Sequence, residues 1–439
     1  MIILKKKYLK IIICIAFLLL FTVFHFLDLK TYYEELLDTS GLIYDDFEEK
    51  LREENKRALE SEEEYRKLVD VTEENKNVAE GDQNDTGQLS LHAISSLLLD
   101  ATNNRVLYEE NGYKRMPMAS TTKIMTCIVT LENANLNDIV TVSSYAARMP
   151  DVQLNIRTGE QYILKDLLYS LMLESHNDVA VAIAEHVGGT VEGFAVMMND
   201  KVRELGCEDT NFVTPNGLDA EGHYTTARDL AIIASHAIKN EKFIEITNTS
   251  AYQFKEQKKG RSFSVSNKNR FLYMMEGAIG IKTGFTGDAG YCFVGAVKRP
   301  DKTLISVVLG CGWPPSKNLK WSDTKELMSY GIEHYKKRQI FEEVSLNPIL
   351  VKDGQQRYEA LTMEGDLTLL MRDDESVRIE YDIPKALQAP VKEKQIIGYA
   401  KYYIDSMLYA EIPVYSTTTI EKINYQFCLE QLLHMFLFR

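Results

Sequence analysis

Ser120 and Lys123 lie three residues apart in the run Met116-Pro117-Met118-Ala119-Ser120-Thr121-Thr122-Lys123-Ile124-Met125. On a helix this spacing puts both side chains on one face, about one turn apart. A serine hydroxyl is a poor nucleophile until a base sits beside it. A lysine amine becomes that base once burial and neighbouring cations weaken its hold on a proton. Pro117 ends the preceding element, and Ile124, Met125, Ile128 and Val129 form an apolar face. The sequence therefore predicts Ser120 at the start of a buried helix, where the helix field favours a developing alkoxide and a free backbone N–H can hold an oxyanion. The pattern alone is not selective, because Ser322-Asp323-Thr324-Lys325 matches it too.

Two further elements carry compatible chemistry. In Ser175-His176-Asn177 a second hydroxyl could pass a proton to a leaving amine, and an amide could hold Lys123 and a peptide substrate. In Ile281-Lys282-Thr283-Gly284-Phe285-Thr286-Gly287 a lysine midway along a strand supplies positive charge, and the threonine supplies a hydroxyl for a carboxylate. The glycine there lets a substrate backbone approach the strand. Taken singly, each has an ordinary explanation: a surface Ser and Lys, a polar-capped loop, a charged edge strand. Their order decides between the readings. Ser-x-x-Lys, Ser-x-Asn and Lys-Thr-Gly follow one another at gaps of 55 and 107 residues, each in a fitting context of helix start, inter-helix loop and strand. The second copies at Ser316-Lys317-Asn318 and Ser322 come after Lys282, in the wrong order.

This trio is shared by penicillin-binding proteins and class A β-lactamases. The chain resembles the serine-type D-alanyl-D-alanine carboxypeptidases, the low-molecular-mass penicillin-binding proteins of the peptidase S11 type. The likeness extends to the segments around Ser120, to Asn211-Phe212-Val213-Thr214-Pro215-Asn216-Gly217-Leu218, and to His223-Tyr224-Thr225-Thr226-Ala227-Arg228-Asp229; it covers roughly residues 90–420. It implies an α+β fold: a β-lactamase/transpeptidase-like domain, with an antiparallel sheet flanked by helices, followed by a small β-rich domain. It also implies roles. Ser120 attacks the carbonyl of the penultimate D-Ala, Lys123 takes its proton, and Ser175 and Asn177 relay protons and position the peptide. Lys282 and Thr283 hold the terminal region of the substrate, with Gly284 beside them. The backbone N–H groups of Ser120 and Phe285 form the oxyanion hole. The implied partners are peptidoglycan stem peptides and, as covalent inhibitors, β-lactam antibiotics. Two departures stand out. The family commonly has glycine between the serine and asparagine of the middle motif. Here His176 either alters access or, the preferred reading, points to solvent. Some relatives grip the terminal carboxylate with an arginine beyond the next strand, and residues 310–317 contain none, leaving Lys317 as the substitute.

The elements that must position these residues are legible in outline. Residues 93–99 read as a buried strand, 100–104 as a turn and 105–108 as the returning strand. Residues 164–187 read as a helical block stopped by Gly188-Gly189, residues 278–299 and 302–310 as two β runs joined by Pro300-Asp301, and residues 321–335 as a closing helix. Strands, then helices, then strands make an α+β domain over 89–338. Period-two alternation at 377–383 and a strand-like stretch at 399–415 with a turn at Asp405-Ser406 predict a β-rich domain over 339–420. Residues 421–439 are mostly apolar and read as a helix on a membrane surface.

The first 30 residues place four lysines before an apolar run at 11–27, expected as a membrane anchor with the lysines cytoplasmic. A cleaved signal peptide is the other reading, although no A-x-A-like site follows. Either exports the protein, so the catalytic domain is expected outside the cell membrane. Residues 31–88 read as a solvated acidic stalk. Thr31 to Ser90 holds 19 acidic and 7 basic residues, most of the chain's net charge of −14, so the acidity says little about the folded part's partner. No basic patch suggests nucleic acid. The histidines do not cluster at metal-ligand spacings and no phosphate-binding loop occurs, so neither metal nor other cofactor is expected. The six cysteines read as small buried apolar residues. Two competing functions remain at this stage. A class A β-lactamase needs a Glu-x-x-Leu-Asn segment after the middle motif, which residues 178–281 lack. A non-catalytic penicillin or wall sensor could carry the acidic stalk, but it would be free to lose a motif residue and none is lost.

Overall fold

The computed structural model describes residues 89–150 and 152–437. The expected anchor, the acidic stalk and Cys14 lie outside the described residues. The described residues fall into two units: one takes residues 89–341 together with 366–375, the other takes 342–365 and 376–437.

The first unit is built on β1 (Ser95–Asp100) and β2 (Arg105–Glu110), the predicted opening hairpin. A helical stretch follows: α1 (Lys123–Asn133), then, after the short pair β3 (Ile139–Thr141) and β4 (Gln161–Ile163), α2 (Leu164–Leu173), α3 (Asn177–Gly188), α4 (Val191–Glu204), α5 (Ala227–Ala237) and α6 (Glu241–Asn248). The helical block read over 164–187 is two helices, with the inter-helix loop expected at the Ser175-His176-Asn177 motif falling at residues 174–176, where Ser175 takes a left-handed φ of 71°. Side-chain caps start several helices. Thr226 accepts from the Asp229 N–H at the head of α5, and Asn240 accepts from the Lys242 and Phe243 N–H groups at the head of α6. The hairpin β5 (Ala251–Lys255) and β6 (Ser262–Ser266) follows.

Residues 278–299 hold two strands rather than the expected single run: β7 (Ala278–Thr286) and β8 (Gly290–Lys298), separated by a tight turn. With β9 (Thr303–Leu309) they complete a five-stranded antiparallel sheet in the order β2-β1-β9-β8-β7. Its period-two side chains separate two cores. Leu97, Leu99, Val294, Ile305 and Val307 pack against the helical stretch, while Leu98, Phe293, Leu304 and Val308 pack against α7 (Leu319–His334) through Trp321, Leu327 and Met328. A sheet buried on both faces explains why its strands read as near-continuous apolar runs. β7 is left as an edge strand, and that edge faces the start of α1.

β10 (Lys336–Gln339) closes this unit by pairing with β14 (Thr368–Met371). The second unit is mostly β. A three-stranded sheet has the order β12 (Tyr358–Glu359), β11 (Ile349–Lys352), β16 (Ala386–Gln388). A four-stranded one has the order β13 (Leu361–Met363), β18 (Met407–Ser416), β17 (Ile396–Ile404), β15 (Val377–Asp382). Buried Glu359 accepts from the backbone N–H groups of Thr417 and Thr418, which ties the two sheets' chain segments. The last helix, α8 (Tyr425–Leu437), leaves Tyr425, Leu429 and Leu433 exposed at four-residue spacing, on one stripe. All five described cysteines are buried, and none of them is in a disulfide.

Candidate active site

Ser120 lies in a 3-10 turn, Ala119–Thr122, immediately ahead of α1. The turn is held from within and from behind. Ala119 takes a φ of 48°, a left-handed conformation costly for a residue with a side chain. The Thr121 hydroxyl donates to the Met118 carbonyl at 2.6 Å and the Thr122 hydroxyl to the Ala119 carbonyl at 2.8 Å. Behind it sits Gly217 at φ +80°, so close that a Cβ there would lie 2.0 Å from the Ala119 oxygen. His223 completes the brace. Its Nδ1 accepts the Val213 N–H at 3.0 Å, so its Nε2 carries the hydrogen and donates to the Thr122 hydroxyl oxygen at 2.9 Å. Burial pushes the His223 imidazole down to about 4, keeping it neutral.

Lys123 is the first residue of α1 and its side chain is fully buried. Its Nζ lies 2.9 Å from Ser120 Oγ, 2.9 Å from Asn177 Oδ1 and 2.5 Å from the Asn216 carbonyl oxygen. Desolvation first, and the charge of Lys282 second, hold this amine well below the ordinary lysine range; Asp178 opposes them. Both lowering effects penalise the ammonium form. The neutral amine has two N–H groups and one lone pair. Asn177 Oδ1 and the Asn216 carbonyl can only accept, so they take the two hydrogens and leave the lone pair for the Ser120 hydroxyl. The site thus presents a buried base aimed at a serine.

Ser175 and Asn177 straddle the break between α2 and α3. The Asn177 N–H donates to the Val152 carbonyl at 2.7 Å, which fixes the start of α3 while its side chain reaches Lys123. Ser175 Oγ is buried without a hydrogen-bond partner. A buried hydroxyl left without a partner is uncommon and is the kind of group a ligand or a proton can use. His176 does not point to solvent as expected: it is 4% exposed, its Nδ1 2.7 Å from Ser170 Oγ and its Nε2 3.4 Å from Glu174 Oε2. The short Ser170 side chain on α2 leaves room for the ring, which packs inward as a small apolar-faced polar group.

Lys282 is buried on β7 with Nζ donating to the Thr283 carbonyl at 3.0 Å, and burial pushes it down to about 7. A Cβ on Gly284 would lie 3.0 Å from the Ser120 nitrogen and 3.1 Å from the Thr121 nitrogen, tighter than ordinary contact, so glycine lets the edge strand run this close to the Ser120 backbone. Phe285, next in the strand, is 43% exposed and its ring tilts against Tyr291 at 4.6 Å. The Thr286 hydroxyl donates to Asp219 Oδ1 at 2.7 Å, joining the strand's end to the loop after Gly217. Lys317 is exposed, and the second Ser-x-x-Lys copy, Ser322 and Lys325, is exposed on α7 against the other face of the sheet. Among the described residues no group of three metal-ligating side chains gathers.

Three separated motifs therefore meet around one hydroxyl. Comparison with known proteins accounts for the arrangement. The family model described as D-alanyl-D-alanine carboxypeptidase, peptidase S11, matches residues 82–312, and that of the penicillin-binding protein 5 C-terminal domain matches residues 335–422. The chain belongs to the D-alanyl-D-alanine carboxypeptidase family. The D-alanyl-D-alanine carboxypeptidase DacF of Bacillus subtilis is 30% identical over 356 residues, covering 79% of this chain and 90% of that protein. The solved structure of penicillin binding protein 5 from Haemophilus influenzae is 28% identical, with a TM-score of 0.64 over 76% of this chain and 99% of that one. The Streptomyces K15 DD-transpeptidase, 33% identical, matches the smaller share of 56% of this chain with a TM-score of 0.52. The carboxypeptidase is a serine hydrolase with a transpeptidase-like domain and a β-rich C-terminal domain.

Residue-type reasoning on the carboxypeptidase missed the brace. Asn216, Gly217 and His223 were singled out only as parts of family-like segments, without a role. Asn216 acts through its carbonyl and Gly217 through the absence of a side chain, and neither leaves a spacing signal. His223 was passed over because no other histidine lies near it in the sequence, whereas its partners are a threonine and a backbone amide.

Proposed function

We propose that Ser120 is the acylated nucleophile of this D-Ala-D-Ala carboxypeptidase, with Lys123 as its base. The observation that carries the reading is the 2.9 Å contact between Lys123 Nζ and Ser120 Oγ, with the other two amine positions taken by obligate acceptors. In the forward step the Ser120 proton passes to Lys123 Nζ while Oγ bonds to the carbonyl carbon of the penultimate D-Ala. The oxyanion formed is held by the N–H groups of Ser120 and Phe285. Collapse breaks the peptide bond. The proton moves from Lys123 through the open Ser175 hydroxyl to the leaving amine, and terminal D-Ala departs. Water, deprotonated by the same base, then attacks the ester and releases the shortened stem peptide with Ser120 regenerated. Asn177 holds Lys123 and the peptide. Lys282 and Thr283 bind the terminal region of the substrate, with Gly284 allowing its backbone to lie against β7.

A β-lactam presents a strained amide to the same serine and acylates it. We further propose that the enzyme works on the outer face of the cell membrane. The apolar segment at 11–27 and the exposed apolar stripe of α8 support that reading; among the described residues no single helix is long and apolar enough to cross a membrane. The Ser120→Ala variant should lose both fluorescent penicillin labelling and D-Ala release from a pentapeptide, with an unchanged melting temperature. Continued D-Ala release by that variant would sink the assignment.

A further inference from the structure

The middle motif contains a residue whose role the acylation scheme does not use. Ser175 is in the left-handed region at φ 71°, although it is not glycine, and its hydroxyl is buried without a partner. Nothing bonded to Oγ therefore sets where that hydroxyl points; the backbone at 174–176 must do so. That backbone is gripped from both sides. Glu174 accepts the Ser266 N–H at 3.1 Å and the Lys268 ammonium at 3.0 Å, and the Lys268 N–H bonds to the Leu173 carbonyl at 3.1 Å. His176 folds back under the loop, 2.7 Å from Ser170 Oγ on α2 and 3.4 Å from Glu174 Oε2.

The ring's one hydrogen bond joins Nδ1 to the Ser170 hydroxyl, and its Nε2 edge faces the Glu174 carboxylate at 3.4 Å. Burial pushes the His176 imidazole below its ordinary value; Asp178 and Glu174 oppose this, while Lys123 and Lys282 reinforce it. The ring thus spans the helix before the break and the residue before Ser175.

We propose that His176 is a positioning residue of the acylation step: its buried ring, hydrogen-bonded to Ser170 and lying beside the Glu174 carboxylate, fixes the left-handed turn on which Ser175 presents its hydroxyl. The proposal rests on the Ser120 acyl-enzyme reading and deepens it. A glycine at 176 would enter this turn freely but would leave it unpinned, so the relay hydroxyl would wander relative to Lys123.

The test uses the full-length protein in detergent, a fluorescent penicillin as probe, and the variants His176→Gly, His176→Gln and Ser170→Ala. The limiting acylation rate should fall about tenfold in His176→Gly, in keeping with a small misplacement of a reacting group, with the half-saturating penicillin concentration unchanged within about twofold. His176→Gln keeps a side-chain amide that can bond the Ser170 hydroxyl and should recover the rate to within about threefold of the parent. Ser170→Ala, which keeps the ring, should lose several-fold in the same rate and serves if the glycine variant fails to fold. Gly and Ala variants that acylate at the parent rate overturn the proposal. So does an equal loss in Gly and Gln accompanied by an equal fall in melting temperature, since the ring would then be packing only. Labelling of a Ser120→Ala control would instead refute the acyl-enzyme reading, so the two failures are distinguishable.

Discussion

Replacing Gly217 with alanine tests the brace behind the nucleophile with a perturbation of known size. The added Cβ would lie 2.0 Å from the Ala119 oxygen, 2.6 Å from the Ala119 carbonyl carbon and 2.8 Å from Thr122 Oγ1. Non-bonded heavy atoms of this kind rest at about 3.5 Å, so the two chain segments must separate by more than about 1 Å. The Ala119 carbonyl cannot swing aside alone. It accepts the Thr122 hydroxyl, whose oxygen is in turn held by His223, and the next residue is Ser120. Displacing it carries the nucleophile away from Lys123. A shift of about 1 Å in a reacting group costs roughly a hundredfold in rate, or about 2.7 kcal/mol of barrier. The positive φ adds roughly 1–3 kcal/mol of folding strain.

Gly260 separates these contributions. It also has a positive φ, +69°, but nothing lies within 4 Å of a Cβ there. Gly260→Ala should therefore pay strain in melting temperature and leave chemistry untouched. Stopped-flow acylation by a fluorescent penicillin, read beside thermal melts, measures both. The expected result is a roughly hundredfold loss of acylation rate in Gly217→Ala with Gly260→Ala at the parent rate. A Gly217→Ala enzyme that folds and acylates within a few-fold of the parent would refute the claim that the residue 213–223 loop sets the serine's position.

Two pH-dependent outcomes follow from the buried cations and the buried imidazole. As the proposed base, Lys123 must be neutral to act, and the Lys282 charge is one of the effects that weaken its hold on a proton; Lys282→Met removes that charge, strengthens the hold of Lys123 on its proton, and should move the acid limb of the acylation pH profile to higher pH. A limb that stays put or moves down in pH speaks against electrostatic coupling between the two lysines. His223 titrates at about 4 in the fold against 6.5 when exposed, so the unfolded chain binds its proton first as pH falls. The stability it contributes is fully present above pH 6.5 and is lost between there and about pH 4, amounting to about 3 kcal/mol. Denaturant melts of His223→Gln should show a flatter slope over that interval, and an unchanged slope contradicts the neutral buried imidazole.

What could be read in the sequence, and what could not, divides along a physical line. Ser120, Lys123, Ser175, Asn177 and Lys282 are chosen for their side-chain chemistry, and side-chain chemistry leaves a spacing pattern. The opening hairpin, β9 and α7 were visible for a related reason: burial imposes a period. The run at 278–299 does carry its turn in the sequence, as Thr286-Gly287-Asp288-Ala289-Gly290, where glycine and aspartate interrupt the apolar pattern; reading the stretch as one run passes over that signal. The break inside 164–187 is marked by the polar Ser175-His176-Asn177-Asp178, read as an inter-helix loop, but the left-handed backbone of Ser175 that sets it is not marked. His176 shows the same limit in the other direction. A histidine in a loop reads as solvent-facing, because only the fold shows that Ser170 on the preceding helix is small enough to admit the ring and polar enough to bond it. The residues that aim the catalytic groups act through carbonyls, absent side chains and backbone dihedrals, and these are properties of the folded chain. A search for function that stops at reactive side chains will therefore find the nucleophile and its base and overlook the parts that hold them in register.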